Sequence, residues 1–390
     1  MRKLLLIVST AVLMLVLGTG CNGVTTGSGS GDTLRLGYAE RIKIVEYEGY
    51  NTVTLADPWE TGNVLHTYIL VPSSAKELTD DSLTSLHPNA TIVRTPLKKT
   101  LITTSVHCAL ADELGCSNAV AGVCDLQYIN LPWVKERVKA GKIRDCGSTM
   151  APTIETIIDL APDAIFLSPF QNSGGYGRIE NLGIPIIEMA DYMETSALGR
   201  AEWMKFYGML FGAEEKASAL FAEVEKNYNE LKEKGRTHTT DNNKQTKQTK
   251  QKSVIMDKLV GSVWYVPGGG STIGKMLKDA ACSYPWQDDR SAGSLSLSFE
   301  TVLEKGAEAD VWMFRYNSPQ AITRNVLLSE NRGYEQFKAY KNGELYGCNT
   351  ATSTFYEDTP FHPELLLRDF LTIMHPDLGL GAPKYFIKVE

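Results

Sequence analysis

Short apolar runs alternate with amphipathic stretches over most of the chain. Residues 103–125 open with hydroxyl side chains suited to capping a helix, continue with helical spacing, stop at Gly115 and end in a short apolar run at Asp125. Residues 151–170 give another amphipathic stretch followed by the apolar run AIFL, and residues 183–192 supply one more apolar run. This order of strands and helices predicts a parallel α/β sheet.

The second half of the chain has the same order of elements. Residues 261–286 read as a strand, a glycine turn and a helix that begins near Ser271, and residues 297–314 read as a helix followed by a buried strand. The pattern therefore predicts two doubly wound α/β lobes.

One sequence pattern occurs once in each half of the chain. It consists of an apolar helix with an early glutamate, followed by an aspartate and a buried strand. The pairs are Glu155 with Asp163 and Glu300 with Asp310. Repetition of this kind favours two similar lobes, although two amphipathic helices can also resemble each other by chance.

A long amphipathic helix is predicted between the two halves. Its apolar positions are spaced 4, 3, 4 and 3 residues apart, which places them on one face; they are Ala217, Phe221, Val224, Tyr228 and Leu231. From Ala213 to Glu233 the helix would be about 30 Å long. Residues 236–252 are polar throughout and predict an exposed loop.

The first 32 residues have the pattern of an export signal. Two basic residues precede an apolar run over residues 4–17, which is too short to span a bilayer as a helix, so residues 1–20 are predicted to be a signal peptide. The run ends in small residues before Cys21, which resembles the lipobox of bacterial lipoproteins, although Gly18 departs from it. The alternative is a cysteine beside an ordinary cleavage site. Residues 21–32 read as a flexible tether.

These patterns divide the chain into seven segments. They are a lipoprotein signal peptide (1–20), a tether (21–32), an added β segment with turns near residues 48–49 and 61–62 (33–91), an N-terminal lobe (92–200), a backbone-helix region (201–235), an exposed polar loop (236–252) and a C-terminal lobe (253–390).

Composition excludes several classes of protein. The 390 residues are 43% hydrophobic and carry 39 Lys and Arg against 46 Asp and Glu, a net charge of -7. This excludes disorder and argues against a nucleic-acid partner. The seven cysteines lack a CxxC spacing, so structural zinc is not expected, and the sequence assigns no disulfide pairs.

The two lobes, the intervening helix and the lipobox together resemble the substrate-binding lipoproteins of ABC importers. The resemblance is narrower to the class whose lobes are joined by a rigid backbone helix and which binds iron-siderophore complexes, haem, cobalamin or metal ions. It covers residues 92–390, and its strongest segments are PTIETIIDLAPDAIFLS, GRAEWMKFYGMLFG, YVPGGGSTIGKMLKDAA and LSFETVLEKGAEADVWMF.

The resemblance implies the partners and the location of the protein. Its partners would be an ABC permease and ATPase, and it would act as a monomer that is lipid-anchored through Cys21 at the periplasmic face of a bacterial membrane. In this class a glutamate on each lobe pairs with arginines of the permease, and the matching positions here are Glu155 and Glu300. The alternative is that both are ordinary solvated helix residues.

The ligand site is predicted from a geometric rule. Ligands of open α/β sheets bind outside the carboxyl ends of the strands, and applying the rule to both lobes selects Thr104, Ser105, Tyr128, Ser168, Phe170, Gln171, Trp264, Tyr265, Ser271, Arg315, Tyr316 and Asn349. Aromatic side chains would line the cleft, and Arg315 would offer hydrogen-bond donors to an anionic chelate. The six histidines are scattered and only His107 and His362 fall near this cleft, so a directly bound metal ion and a resident cofactor are not expected.

The predicted function is ligand capture for import, with an iron chelate (siderophore or haem) favoured over cobalamin. Basic residues would suit an anionic chelate and aromatic residues would suit cobalamin, and both are present. Enzyme motifs such as GxSxG or HExxH are absent from the sequence, so an enzyme is not expected. A rival from another class is a surface lipoprotein that binds a glycan or protein through residues 33–91.

Overall fold

The protein is described by a computed structural model over residues 31–171, 175–246 and 251–390, with the backbone alone for 239–246. The predicted signal peptide, Cys21 and most of the tether fall outside the described residues. Within the described part, no helix has both the length and the apolar character needed to cross a membrane.

The added β segment is a five-stranded sheet in the order β1-β2-β3-β4-β5. Its elements are β1 (Asp32–Thr33), β2 (Ile42–Tyr47), β3 (Tyr50–Ala56), β4 (Val64–Pro72), α1 (Asp80–Leu86) and β5 (Thr91–Thr95). The boundary predicted at residue 92 is wrong, because β5 pairs in parallel with β4 of this sheet. The β2–β3 hairpin turns at Gly49, whose φ of 84° suits glycine.

The N-terminal lobe contains a parallel sheet in the order β12-β11-β6-β7-β8. The elements of this part of the chain are β6 (Thr100–Ile102), α2 (Ser105–Glu113), β7 (Val120–Val123), α3 (Pro132–Lys139), β8 (Arg144–Asp145), β9 (Gly147–Ser148), β10 (Ala151–Pro152), α4 (Ile154–Leu160), β11 (Ala164–Leu167), β12 (Ile186–Glu188), α5 (Ala197–Glu202) and α6 (Met204–Phe211). The predicted strand AIFL is β11, which is buried along its whole length.

The long helix α7 (Glu214–Thr246) follows and packs against α6 and, from the C-terminal lobe, α13. Ala217, Phe221, Val224 and Tyr228 are buried, as the spacing predicts. The polar loop predicted to begin at residue 236 is wrong up to Thr246, because α7 continues to that residue. Residues 236–246 are mostly threonine, asparagine and aspartate, which have low helix propensity, so the local sequence gives no signal for this extension. At 33 residues α7 is about 50 Å long.

The C-terminal lobe contains a sheet in the order β13-β17-β18-β19, with β19 antiparallel. Its elements are β13 (Val254–Met256), β14 (Leu259–Val260), β15 (Val263–Pro267), α8 (Thr272–Asp279), β16 (Ser294–Leu297), α9 (Phe299–Gly306), β17 (Val311–Tyr316), α10 (Arg324–Glu330), α11 (Lys338–Asn342), β18 (Leu345–Asn349), α12 (Phe355–Asp358), α13 (Pro363–Met374) and β19 (Ile387–Lys388). Strand β15, which the pattern places in the parallel sheet, instead lies in a separate antiparallel sheet, β14-β15-β16.

The two lobes share a structural device at Asp163 and Asp310. The Asp163 carboxylate accepts the backbone N–H groups of Lys98 and Lys99, just before β6. Asp310 accepts the backbone N–H and the hydroxyl of Ser253, just before β13. Each aspartate therefore fixes the start of the neighbouring strand, which supports the interpretation of the repeated pattern as two similar lobes.

The added sheet is attached to the N-terminal lobe by two buried glutamates. Glu202 accepts the backbone N–H groups of residues 37, 38 and 39 at 2.8–3.0 Å. Glu194 accepts those of residues 40 and 41 at 2.9–3.2 Å. Glu202 is 1% exposed and Glu194 4%. Five consecutive backbone donors are thereby held by two carboxylates.

Tyr68 of β4 covers the outer edge of β12, the last strand of the N-terminal sheet. Its hydroxyl donates to the carbonyl of Ile186 at 3.1 Å and accepts the N–H of Glu188 at 2.8 Å. These are the outward backbone groups that a further strand would pair. The added sheet thus supplies hydrogen bonds that the edge strand otherwise lacks.

The two lobes contact each other at more than one place. Lys275 of α8 donates to the Thr195 carbonyl, and the segment that follows β18 makes further contacts. The Phe361 ring packs against the rings of His107 and Tyr207, at centroid distances of 5.6 and 5.9 Å. His362 lies between Glu113 of α2 and Glu364 of α13, with 2.9 Å from each ring nitrogen to a carboxylate oxygen.

Candidate functional site

A cavity of about 630 Å³ lies at the carboxyl ends of β13, β17 and β18. Its lining within the described residues comes from the C-terminal lobe alone: Asp257, Lys258, Val260, Tyr265, Arg315, Tyr316, Asn317, Ser318, Gln320, Ala321, Ile322, Val326, Glu330, Thr350 and Tyr356. The geometric rule for α/β sheets therefore locates this cavity correctly in one of the two lobes.

Arg315 and Asp257 form a bidentate ion pair in the wall of the cavity. Arg315 Nε lies 2.9 Å from Asp257 Oδ1, and Nη2 lies 2.7 Å from Oδ2. Burial alone would lower the pKa of Arg315, but the adjacent carboxylate outweighs burial, and the pKa is raised. The guanidinium is thus firmly charged, and its charge is already matched within the protein.

A second ion pair joins Lys258 to Glu330 of α10, with 2.7 Å between Nζ and Oε2. The side chain of Lys258 is 15% exposed. Both basic groups that line the cavity therefore have an acidic partner that also lines it.

The remaining lining is aromatic, aliphatic and neutral polar. Tyr265 is 44% exposed and Tyr356 49%, so both rings can contact a ligand. Asn317 donates to the Thr350 hydroxyl at 3.3 Å, and that hydroxyl donates to the Tyr316 carbonyl at 3.1 Å. Large rings with a few fixed polar groups are typical of small-molecule sites.

Three of the twelve predicted ligand residues, Tyr265, Arg315 and Tyr316, line this cavity. Asn349 is nearby, but its amide is used internally. It donates to the Ser318 carbonyl at 2.8 Å and accepts the backbone N–H groups of Ser318 and Ala351. Asn349 therefore shapes the loop that carries Ser318.

Two predicted ligand residues, Trp264 and Ser271, are buried and do not reach a cleft. Trp264 is fully buried; its indole donates to the Met256 carbonyl at 2.9 Å and packs against Trp312. Ser271 is 8% exposed and caps α8 through the Gly274 N–H. Neither residue lines the cavity, and their predicted binding role is untested.

The glycine turn before Ser271 has a packing role. A Cβ atom at Gly269 would lie 2.4–2.6 Å from three carbonyl oxygens of residues 286–289. Gly268 and Gly270 would meet the backbone of residues 290–293 in the same way. Close approach of two backbones, and not a ligand, explains the three glycines.

The predicted residues of the N-terminal lobe lie outside the lining of this cavity. Tyr128, Phe170 and Gln171 are exposed, while Ser105 and Ser168 are half-buried. Thr104 caps α2, and its hydroxyl lies 2.7 Å from His107 Nδ1. No contact in the described structure joins these six residues into one site, and their binding role stays a prediction.

The charged lining residues that sequence reasoning missed are Asp257, Lys258 and Glu330. A signal for the first two was present, because they directly follow the apolar run Val254–Met256, which is the first strand of the C-terminal sheet. Glu330 comes from the end of α10, and nothing in the sequence indicates that this helix reaches Lys258.

His107 and His362 each pair with carboxylates. His107 Nε2 lies 2.9 Å from Asp191 Oδ1, and Asp191 also accepts from Arg200 and Tyr207. In the described part of the chain, histidines, cysteines and carboxylates do not gather in groups of three that could hold a metal ion. The six described cysteines are free thiols.

Glu155 and Glu300 occupy matching positions in the two lobes. Each is exposed and lies in the first turn of a short helix, α4 or α9, that leads to a buried strand. Their predicted docking role needs exposure of this kind, and it stays a prediction.

The chain is similar in sequence or in fold to several known proteins. It is 26% identical over 427 aligned residues to an uncharacterised lipoprotein of Methanocaldococcus jannaschii, covering 99% of this chain and 96% of the relative. Its fold is similar to a possible iron-binding periplasmic protein of Staphylococcus epidermidis (TM-score 0.54, 17% identity, 72% of this chain and 100% of that one). It is also similar to a periplasmic haem-binding protein of Pseudomonas aeruginosa (TM-score 0.55, 14% identity, 72% and 93%).

These structures share two α/β lobes joined by a long helix, which confirms the predicted fold class. The model of the periplasmic binding protein family matches residues 109–352, more than half of the sequence. The resemblance drawn from the sequence is thereby confirmed, and the chain belongs to the periplasmic binding protein family.

Proposed function

We propose that the protein is the substrate-binding subunit of an ABC importer and that it captures an iron chelate, a siderophore complex or haem, for delivery to a permease. The observation that carries the proposal is the cavity at the carboxyl ends of β13, β17 and β18 in a member of this family. Its volume of about 630 Å³ is ample for a small chelate. The role is binding, and the partners would be the permease and its ATPase.

The first experiment identifies the ligand. The mass and absorbance spectrum of any compound that co-purifies with the protein should be those of an iron chelate. A corrinoid spectrum would instead favour cobalamin, the alternative ligand.

The cavity itself is tested by removing its exposed rings. Tyr265→Ala combined with Tyr356→Ala should weaken binding of that ligand at least tenfold, about 1.4 kcal/mol. The matched control is Trp59→Ala in the β3–β4 connection of the added sheet, which should leave affinity unchanged. The reverse result would favour a glycan-binding or protein-binding surface lipoprotein.

Delivery is tested separately at Glu155 and Glu300. The double variant Glu155→Ala, Glu300→Ala should bind ligand within about twofold of the wild type, since neither residue lines the cavity, yet lose most stimulation of the importer ATPase in proteoliposomes. Normal stimulation would show that the permease docks elsewhere. Loss of ligand binding would place the glutamates in the binding site.

Anchoring rests on Cys21, which the structure does not describe. Cys21→Ser should move the protein from the membrane fraction to the soluble fraction without a change in its melting temperature. Continued membrane association of the processed variant would contradict the lipid anchor.

A further inference from the structure

The cavity of the C-terminal lobe has an unusual charge arrangement for a site that would take an anionic chelate. Four charged residues line it, two basic and two acidic: Lys258, Arg315, Asp257 and Glu330. Their formal charges sum to zero, and they are joined as two short pairs, with shortest contacts of 2.7 Å in each.

Recruiting Arg315 for an anionic ligand would have a structural cost. Asp257 is 8% exposed, and its two oxygens accept from Nε and Nη2 of Arg315. A ligand carboxylate or catecholate that took over these donors would leave the buried Asp257 carboxylate without its counter-charge, and only the backbone N–H of Arg315 would still donate to it. Loss of the partner of a buried charge is strongly unfavourable. The guanidinium retains Nη1 for a neutral acceptor such as an amide or hydroxamate carbonyl.

The same reasoning applies on the opposite side of the cavity. Lys258 has a side chain that is only 15% exposed and pairs with Glu330, so its ammonium is not a free attractor of anions. The other polar groups of the lining are tyrosine hydroxyls, amides, a serine and a threonine, all of which are neutral hydrogen-bonding groups.

We infer that this cavity selects a ligand without net charge, held by tyrosine rings and neutral hydrogen bonds, and discriminates against polyanionic chelates. The inference rests on the proposed function for the identity of the site and deepens it by naming the charge class of the ligand. The discrimination would arise because both basic side chains of the cavity are already paired with acidic side chains, so an anionic ligand finds no unmatched positive charge.

The test uses two ferric complexes of different charge and isothermal titration calorimetry on the purified protein. A neutral ferric trihydroxamate should bind at least tenfold more tightly than a ferric tris-catecholate with three negative charges. Tighter binding of the tris-catecholate by the wild type would overturn the inference.

Two variants test the inference independently of the natural ligand. Asp257→Asn releases Arg315, and asparagine tolerates the left-handed backbone at this position (φ 61°). Glu330→Gln releases Lys258 on the surface of α10. Each variant should raise affinity for the tris-catecholate at least fivefold over the wild type. If neither does, the inference fails.

The matched control is Glu344→Gln, which breaks an ion pair with Lys388 elsewhere in the same lobe and should leave both affinities unchanged. Thermal melts establish that each variant is folded. If the wild type binds neither complex, the proposed iron-chelate function fails. The charge inference is still decided by whether the two variants gain affinity for the anion.

Discussion

The added sheet and the C-terminal lobe are attached to the N-terminal lobe in different ways. The sheet is held by five backbone N–H groups on two buried carboxylates, Glu202 and Glu194. The C-terminal lobe is held by α7, by the side chains of a short segment around Phe361 and His362, and by α8, from which Thr272 and Lys275 donate to backbone carbonyls of residues 194 and 195. Backbone anchors fix position residue by residue, whereas side-chain contacts can tilt and exchange rotamers. We therefore expect movement between the lobes and little movement of the sheet.

The largest expected effect is at the backbone anchor. Glu202→Ala leaves three backbone donors without their acceptor and should lower the free energy of unfolding by about 4 kcal/mol, measured in urea. Proteolysis should then cut first near residues 37–41. Glu225→Ala, which removes only the acceptor of the Tyr38 hydroxyl, is the control and should cost about 1 kcal/mol. Equal losses in the two variants would contradict the anchoring role.

Phe361→Ala tests the joint between the lobes. The ring is 2% exposed, and its loss should lower the free energy of unfolding by about 3 kcal/mol. Hydrogen exchange should rise in α12 and α2 and stay unchanged in the added sheet. Phe361→Leu, which keeps most of the apolar volume, should lose much less. Faster hydrogen exchange in the added sheet would show that the two attachments to the N-terminal lobe do not act independently.

Glu188 lies where the added sheet meets the N-terminal lobe, and its carboxyl makes the stability of the protein depend on pH. Burial is the main cause that raises its pKa to about 7, and Tyr176 and Asp57 modify it. The folded state therefore binds this proton more tightly than the unfolded state. The stabilisation is present below the ordinary glutamate pKa and is lost as the pH rises to about 7. Relative to Glu188→Gln, the wild type should lose about 2 kcal/mol between pH 4.5 and 7.5.

The comparison with Glu188→Gln isolates this carboxyl, because both proteins retain His66 at the same joint. Burial lowers the pKa of His66, so its protonation at low pH acts in the opposite direction. Parallel stability curves for the two proteins would contradict a raised pKa at Glu188.

His362 lies at the contact between the two lobes, and its contribution to stability changes with pH over a different range. Burial alone would lower its pKa, but Glu113 and Glu364 raise it to about 10. The stabilisation is fully present below about pH 6.5 and is lost as the pH rises to 10. His362→Gln should lower stability by about 1 kcal/mol at pH 6 and hardly at all at pH 10, measured by urea denaturation. The effect is small because the Glu113 side chain is 43% exposed.

The sequence predicts the main elements of the fold well where periodicity is strong. The apolar stripe of α7 and the buried strands β11 and β17 lie where the pattern places them. The pattern misassigned β15, because an apolar run has the same appearance in a parallel sheet and in a small antiparallel one. It also ended α7 too early, since the absence of an apolar stripe does not by itself end a helix.

The site is predicted less well, because it depends on partners distant in sequence. Arg315 was predicted to donate to an anionic chelate, but its guanidinium pairs with Asp257, 58 residues away, so its charge is already matched within the protein. Trp264 is of a residue type that is common in ligand sites, but it lies in the core, where its ring packs against Trp312, Tyr334 and Phe337. Neither fact can be derived from local pattern.

The hydroxyl of Tyr68 also bears on self-association. The rim of an open sheet is a template on which a second chain can add a strand and begin an aggregate. Here one phenol oxygen occupies the two backbone groups of Ile186 and Glu188 that such a strand would need first. The added sheet thus occupies the position at which a strand from another copy of the chain would pair with β12.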